Sequence, residues 1–367
     1  MISPCEMTLH LSGISVHCST TNLPQLKEKV NITIHDLARE LNVSPSTISR
    51  ALKDHPSIGA ATRKTVKELA SRRGYRPNAM AVNLRNQESK TIGVLLSWVN
   101  RPFFGNLISG VEAAARERGY NVIISQTTER TEVERFSAKT LYDMRICGLI
   151  SCLSIHTLDY EHFDQFKRIN TPVIFVDRVP MNYTAHKIVI DNYQAAYDAT
   201  NHLIQEGCIK LGHIGGSLKQ EIYSDRLRGF KNAIKDAGLE IYPGLISQGE
   251  HLALEESQRL ARDILMKLPQ ADGIFCANDT TAISVMQAAK AKGLLVPQDL
   301  AIIGFNDDPI CQIIDPQLSS VYHPAYEMGK LCVENILGEM ASGTGDGSKT
   351  ILQAELRIRQ SSRKKSA

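Results

Sequence analysis

No stretch of the 367 residues comes near the roughly eighteen consecutive apolar positions that a membrane-crossing helix requires, so the sequence encodes no such span. Paired cysteines are missing too. The eight thiols are scattered, none forms a CxxC, and Cys147, Cys152, Cys276 and Cys311 fall in apolar surroundings. That usage suits a reducing cytoplasm and argues against a disulfide framework or a cysteine-based zinc site. The signatures GxSxG and HExxH are absent. The glycines of residues 212–216, GHIGG, have neither dinucleotide-fingerprint spacing nor the Lys-Ser/Thr of a phosphate loop. His213, His251 and His323 are not spaced as metal ligands, and satisfied structural histidines are the default reading. No cofactor and no metal are expected, and an enzyme stands only as an alternative. Solenoid repeats are lacking. Residues 1–31 hold some apolar side chains, but no basic residue precedes them and Ser, Gly and His interrupt them. They read as a disordered extension rather than a secretory signal, with a natural start near Leu26. The basic tail, 361–367, has no leucine heptads to support a tetramer.

What is present is enough for two or three domain cores, at 43% hydrophobic and 22% charged residues. Its organising stretch is Ile32 to Leu52. At helical period Ile34, Leu37, Ala38 and Leu41 form one apolar stripe, and Ile48, Ala51 and Leu52 form another. Between the stripes lies a break in which Asn42 tolerates a left-handed backbone, Val43 plugs the corner, and Ser44-Pro45 supplies an N-cap with proline at the first helical position. Helix, turn and helix in this span suit a second helix laid in a DNA major groove, although a plain helical hairpin has the same outline. The second helix favours the DNA reading. Its outer face carries Ser46, Thr47, Ser49 and Arg50, where a solvated helix usually carries Glu and Lys pairs. Hydroxyls bind phosphate oxygens, and an arginine can donate two hydrogen bonds to a guanine edge.

A third amphipathic helix is predicted over Thr62 to Pro77, ending at Gly74 with basic residues in its last turn. Residues 31–90 hold eleven Lys or Arg against five Asp or Glu, a net of +6, whereas residues 91–367 carry a net of −3. The whole-chain charge of +3 therefore hides a basic head on a mildly acidic body, the asymmetry expected where a head meets phosphate.

The order TIHDLARELNVSPSTISRALKDHPSI, then TRKTVKELASRRGYRPNAMAVNLR, then KTIGVLL resembles the lactose/galactose repressor (LacI) family of bacterial transcription regulators, from about Ile32 onward. The resemblance implies a homodimer on double-stranded operator DNA, with Thr33, Ser44, Pro45, Ser46, Thr47, Ser49 and Arg50 at the DNA. It also implies that the segment after Arg76-Pro77 is a hinge helix that folds on DNA. There Asn78 is the N-cap, Ala81 packs along one side, Leu84 is a minor-groove wedge and Arg85 its basic neighbour. Such a wedge trades a few kcal/mol of unstacking for a bent contact surface. An isolated helix of about eight residues is marginal in water, and so suits a switch.

Residues 91–367 alternate apolar runs with helical patterns such as Phe104 to Arg118. The runs lie at 91–96, 121–125, 148–153 and 172–177, then at 210–215, 273–278 and 300–306. Two such series predict an α/β body of two Rossmann-like lobes with parallel sheets covered on both faces, the periplasmic-binding-protein type, beneath the all-α head. Ligands of open parallel sheets sit outside the carboxyl ends of the strands. Those ends here carry Ser97-Trp98, Ser125-Gln126, Asp177-Arg178, Gly215-Gly216, Asn278-Asp279 and Asn306-Asp307-Asp308. Any one of these can instead cap a helix. The resemblance assigns Phe104, Asp177, Arg226, Asn278 and Asn306 to a small-molecule effector, a sugar or sugar derivative. Asn306 stands where many relatives place Asp. The expected domains are an extension (1–31), a helix-turn-helix domain (32–77), a hinge (78–90), an effector-binding and dimerisation body (91–360) and a tail. A periplasmic-type sugar receptor is the alternative.

Overall fold

The computed structural model describes residues 32–75, 89–267, 270–343, 345 and 347–364. The expected extension, the hinge residues Asn78, Ala81, Leu84 and Arg85, and the last three residues lie outside them. The chain forms two units, Met1–Asn86 and Gln87–Ala367, each taken by itself below.

In the first unit, helices α1 (Ile34–Glu40), α2 (Pro45–Leu52) and α3 (Ala60–Arg72) enclose Leu37, Ala38, Ile48, Ala51, Val66, Leu69 and Ala70. The expected stripes are therefore the packed ones. Local chemistry fixes each helix end. Thr33 and Asp36 form a reciprocal capping box, the Asp36 carboxylate accepting from Thr33 N–H at 2.9 Å. Asn42 takes φ of 51°, and the Ser44 hydroxyl accepts from Thr47 N–H at 3.2 Å. The third helix begins at Ala60, two residues before the expected start, and ends as expected at Gly74: its last residue is Arg72, Arg73 caps it and Gly74 turns left-handed with φ of 65°. Arg73 then reaches Glu40 at 2.9 Å, tying that end to α1.

The second unit holds two six-stranded sheets. The first contains β1 (Thr91–Leu96), β2 (Asn121–Gln126), β3 (Gly148–Ser151), β4 (Val173–Val176) and β5 (His186–Ile190). The second contains β6 (Leu211–Gly215), β7 (Ile246–Gln248), β8 (Gly273–Cys276), β9 (Ala301–Asn306) and β10 (Ser319–Tyr322). Numbered within its own lobe, each sheet runs 2-1-3-4-5, and one late strand is added beyond the fifth. β11 (Lys349–Leu352) joins the first sheet in parallel, and β12 (Glu355–Arg357) the second antiparallel. The expected series of four and three strands are completed by β5, β7 and β10, which the sequence did not signal, into two copies of one topology whose switch points lie at the carboxyl ends of β1 and β3 and of β6 and β8.

Helices cover the sheets. The first lobe carries α4 (Pro102–Glu117), α5 (Thr131–Asp143) and α6 (Asp164–Lys167); α7 (Asn192–Gln205), α8 (Glu221–Asp236), α9 (Leu254–Ile264) and α10 (Asp279–Ala291) belong to the second. The last helix, α11 (Ala325–Ser342), returns to the first, packing on α4. There a Cβ at Gly110 would lie 2.0 Å from Tyr326 O and one at Gly329 2.2 Å from Leu107 O, so only glycine lets these two helix backbones meet. The chain consequently passes between lobes at Asp191, at His323-Pro324 and at Gln353-Ala354.

Candidate functional site

On the first unit, α2 presents Ser46 and Arg50 exposed, with Pro45, Thr47 and Ser49 half-buried beside them. Arg50 makes no ion pair among the described residues. The hydroxyls of Ser46 and Thr47 lie 2.7 and 2.9 Å from that of Ser44. Thr33 is committed to its capping box, with its hydroxyl 2.7 Å from the Asp36 carboxylate. The helix N-terminus thus displays a small hydroxyl cluster, with the Arg50 guanidinium one turn further on.

On the second unit, one cavity of about 460 Å³ is lined by residues of both lobes, and all five residues assigned to an effector line it: Phe104, Asp177, Arg226, Asn278 and Asn306. The volume suits a single small ligand. Arg226 comes from α8 and is buried. Its Nε donates to Asn192 Oδ1 and its Nη1 to Ala277 O, both at 2.8 Å, while Phe305 stacks 3.5 Å beneath the guanidinium carbon. The remaining N–H groups have no partner among the described residues. Burial depresses the Arg226 pKa, while Tyr223 and Asp177 partly restore it. Asp177 follows β4 with φ of 61°. Burial raises its carboxyl pKa, against the pull of Arg178 and Arg226. Phe104 lies edge-on to Phe103, ring centres 5.2 Å apart. The Asn306 side chain makes no hydrogen bond among the described residues.

The remaining strand-end residues divide between scaffold and cavity. Asn278 caps α10, accepting from Thr281 N–H at 2.8 Å, and its amide donates to Leu252 O at 3.1 Å. The capping alternative therefore holds for it, alongside its place in the lining. Ser97 accepts from Arg178 at 2.6 Å, and Gln126 from Val99 N–H at 2.9 Å. Asp307 pairs with Arg357 at 2.8 Å and Arg359 at 2.7 Å, anchoring β12 and its continuation. The glycines at 215 and 216 make room for neighbours, since a Cβ would lie 2.7 Å from His213 Nε2 and 2.5 Å from the Tyr223 ring.

Sequence reasoning placed Trp98 and Arg178 at strand ends but gave them no role, and missed Glu129. Arg178 forms a buried two-pronged pair with Glu129 at 2.9 and 3.0 Å. Burial opposes ionisation of Glu129, yet Arg178 holds its carboxyl below the usual range. Trp98, the single tryptophan, lines the cavity with its Nε1 unpartnered among the described residues, and so does His323 with both ring nitrogens. His323 Nε2 stops 4.0 Å from Asp177 Oδ1, beyond hydrogen-bond reach. The Asp-Arg pair closing β4 was the one sequence signal available for the Arg178 cluster.

Behind the cavity wall Asp279 is fully buried, accepting from Asp308 N–H at 2.8 Å and from the Ser320 hydroxyl at 2.6 Å. Burial, then the Asp308 carboxylate, pushes its pKa up to about 8. An unfolded Asp titrates at about 4, so between there and about 8 the native chain binds the extra proton and stability falls as pH rises. The expected result is a melting temperature that declines through this window, with a flatter profile in Asp279→Asn, read by thermal melts across pH.

The sequence matches two family profiles, described as bacterial regulatory proteins, lacI family, over residues 33–78, and periplasmic binding protein-like domain, over residues 200–362. It is similar to catabolite control protein A of Priestia megaterium, 30% identical over 335 residues that cover 91% of this chain and 100% of that one. It is also similar to the HTH-type transcriptional repressor CytR of Escherichia coli (strain K12), 31% identical over 339 residues, with 92% and 98% covered. A crystal structure of the lac repressor dimer bound to operator and the anti-inducer ONPF shares the fold, with a TM-score of 0.77 at 21% identity and 90% and 99% covered.

Proposed function

Because the chain belongs to the lacI family of bacterial regulatory proteins, we propose that it is a cytoplasmic homodimeric repressor, without enzymatic activity, whose DNA affinity is set by a sugar or sugar derivative held between its lobes. The observation that carries the effector half is the cavity itself. Its wall joins the buried cations Arg178 and Arg226, the buried carboxyls of Glu129, Asp177 and Asp308, and aromatic rings, and leaves polar groups on Trp98, Arg226, Asn306 and His323 without partners among the described residues. Buried polar groups without partners are costly, and a hydroxylated ligand supplies the missing bonds. The head, matched over residues 33–78, sets aside the receptor alternative.

Each head is proposed to lay α2 in the major groove of one half-site, with the hinge at the centre of a pseudo-palindrome. Exposed Ile123 and Ile124 on β2, and Ile310 and Ile313 around the turn Pro309–Gln312, leave apolar surface for the second copy. Pro45 offers only apolar contact, so Ser46 and Arg50 carry the direct readout. Arg50→Ala is expected to cost roughly 1–3 kcal/mol at the selected operator and to relax preference at one base pair. Binding to a randomised duplex pool measures it, and an equal loss on all sequences would make Arg50 a phosphate contact instead.

The effector reading is tested by a thermal-shift screen of the full chain against sugars, sugar phosphates, uronates and nucleosides, followed through Trp98 emission. A ligand at about a hundred times its Kd adds roughly 2.7 kcal/mol of stability. Hits confined to one chemical class, each altering the fluorescence of this single tryptophan, are the expected outcome. A chain that binds DNA yet answers to none of these classes would remove the support for a sugar-type effector.

A further inference from the structure

His156, from the segment after β3 in the first lobe, meets Glu250 and His251, from the segment after β7 in the second, and His251 also lines the cavity. Their donor atoms all lie within 4.8 Å of one another. We propose that these three side chains form a binding site for zinc or a similar divalent transition ion, and that the bound ion clips one lobe to the other.

The donor set is the one such ions select, two imidazoles and a carboxylate, with a fourth position left to water. Zinc holds nitrogen and oxygen donors at about 2.0–2.2 Å, which spaces tetrahedral ligands roughly 3.3–3.6 Å apart. His156 Nε2 already stands 3.3 Å from Glu250 Oε1, and His251 Nε2 stands 4.0 Å from Glu250 Oε2. Small side-chain rotations close the rest. His251 commits neither ring nitrogen to a hydrogen bond among the described residues, and its Nδ1 is buried without one.

The backbone presents these groups rigidly. Glu256 accepts from the N–H groups of Glu250, His251 and Leu252 at 2.8, 2.9 and 2.7 Å, so one carboxylate clamps the whole segment. Arg101, at the start of α4 in the first lobe, donates to His251 O at 2.9 Å, and Gln220 of the second lobe donates to Ile155 O at 2.8 Å, beside His156. The ligands therefore meet only while the lobes are in contact. An ion that binds that arrangement alone must shift the lobes towards it.

The test uses the full chain and the metal alone. Co²⁺ titrated into wild type is expected to give visible absorption of nitrogen and oxygen ligation without a thiolate charge-transfer band, with one bound equivalent fewer in His156→Ala. Zn²⁺ is expected to raise the melting temperature of wild type and to lose that effect in His156→Ala and in Glu250→Gln, whose metal-free melting temperatures match wild type because both side chains are exposed. Equal stoichiometry and equal Zn²⁺ shifts in wild type and both variants would overturn the site. Loss of binding in Glu250→Gln with full retention in His156→Ala would overturn the bridging of the lobes.

Discussion

Arg226→Met is expected to abolish the response to effector while leaving operator binding by the ligand-free protein in place. The methionine fills most of the volume above the Phe305 ring but supplies no N–H group. Truncating one partner of a buried hydrogen-bonded charge pair costs about 2–5 kcal/mol, so ligand affinity should fall from about thirtyfold to several-thousandfold. Part of that loss is structural. Asn192 Oδ1 and Ala277 O each lose the donor that now reaches them at 2.8 Å, and Asp177 loses a neighbouring cation. Arg226→Lys separates the contributions. It keeps the charge and loses the planar fork, so an effector held mainly by charge should retain much of its affinity, whereas one held by a two-pronged hydrogen bond should not. Isothermal titration of the three proteins with the screened ligand measures the difference.

The second large effect lies in stability. Arg178→Met leaves the Glu129 carboxylate buried and unpaired, and removal of one partner from a buried pair costs roughly 3–5 kcal/mol. The pair also organises the cavity wall, since Glu129 Oε2 accepts from Ile155 N–H at 2.8 Å while Arg178 holds Ser97 at the end of β1. The double variant Glu129→Gln, Arg178→Met should recover much of the loss, because neither change then strands a charge. Acid should act in the same direction as the single substitution. Glu129 titrates lower in the folded chain than in the unfolded one, so its contribution is complete above the unfolded carboxyl pKa, about 4.3, and disappears as pH falls through the lower folded value. Denaturant unfolding at neutral and acid pH checks both statements.

The head was legible almost residue by residue because its instructions are local. Asn42, and Ser44 with Pro45, each act on backbone within a few positions, and the apolar stripes need only helical period to be read, whereas the Thr33–Asp36 capping box was not anticipated. The long buried strands of the body were legible for a similar reason, as apolar runs between amphipathic helices. What escaped notice was short or distant. β7 and β12 have three residues each, and β11 alternates exposed and half-buried positions at an edge. β5 pairs with a strand some 160 residues later, which no window along the chain can anticipate.

The site follows the same division. Polar residues at strand ends marked the cavity, but sequence could not sort Asn278, a helix cap, or Asp307, an anchor for Arg357 and Arg359, from Asn306, whose amide has no partner among the described residues. Glu129 is 49 residues from Arg178, and His156 is more than ninety from His251; only the fold places them together. His251 and His323 both failed a test of spacing along the chain, yet both line the cavity.

The most direct measurement is the affinity of the full chain for its selected operator, by fluorescence anisotropy, with and without the ligand that perturbs Trp98. An effector-controlled regulator shows a change in operator affinity that saturates with the same midpoint as the Trp98 signal and is absent in Arg226→Met. A ligand that saturates the cavity and leaves operator affinity unchanged would contradict control of DNA binding from between the lobes.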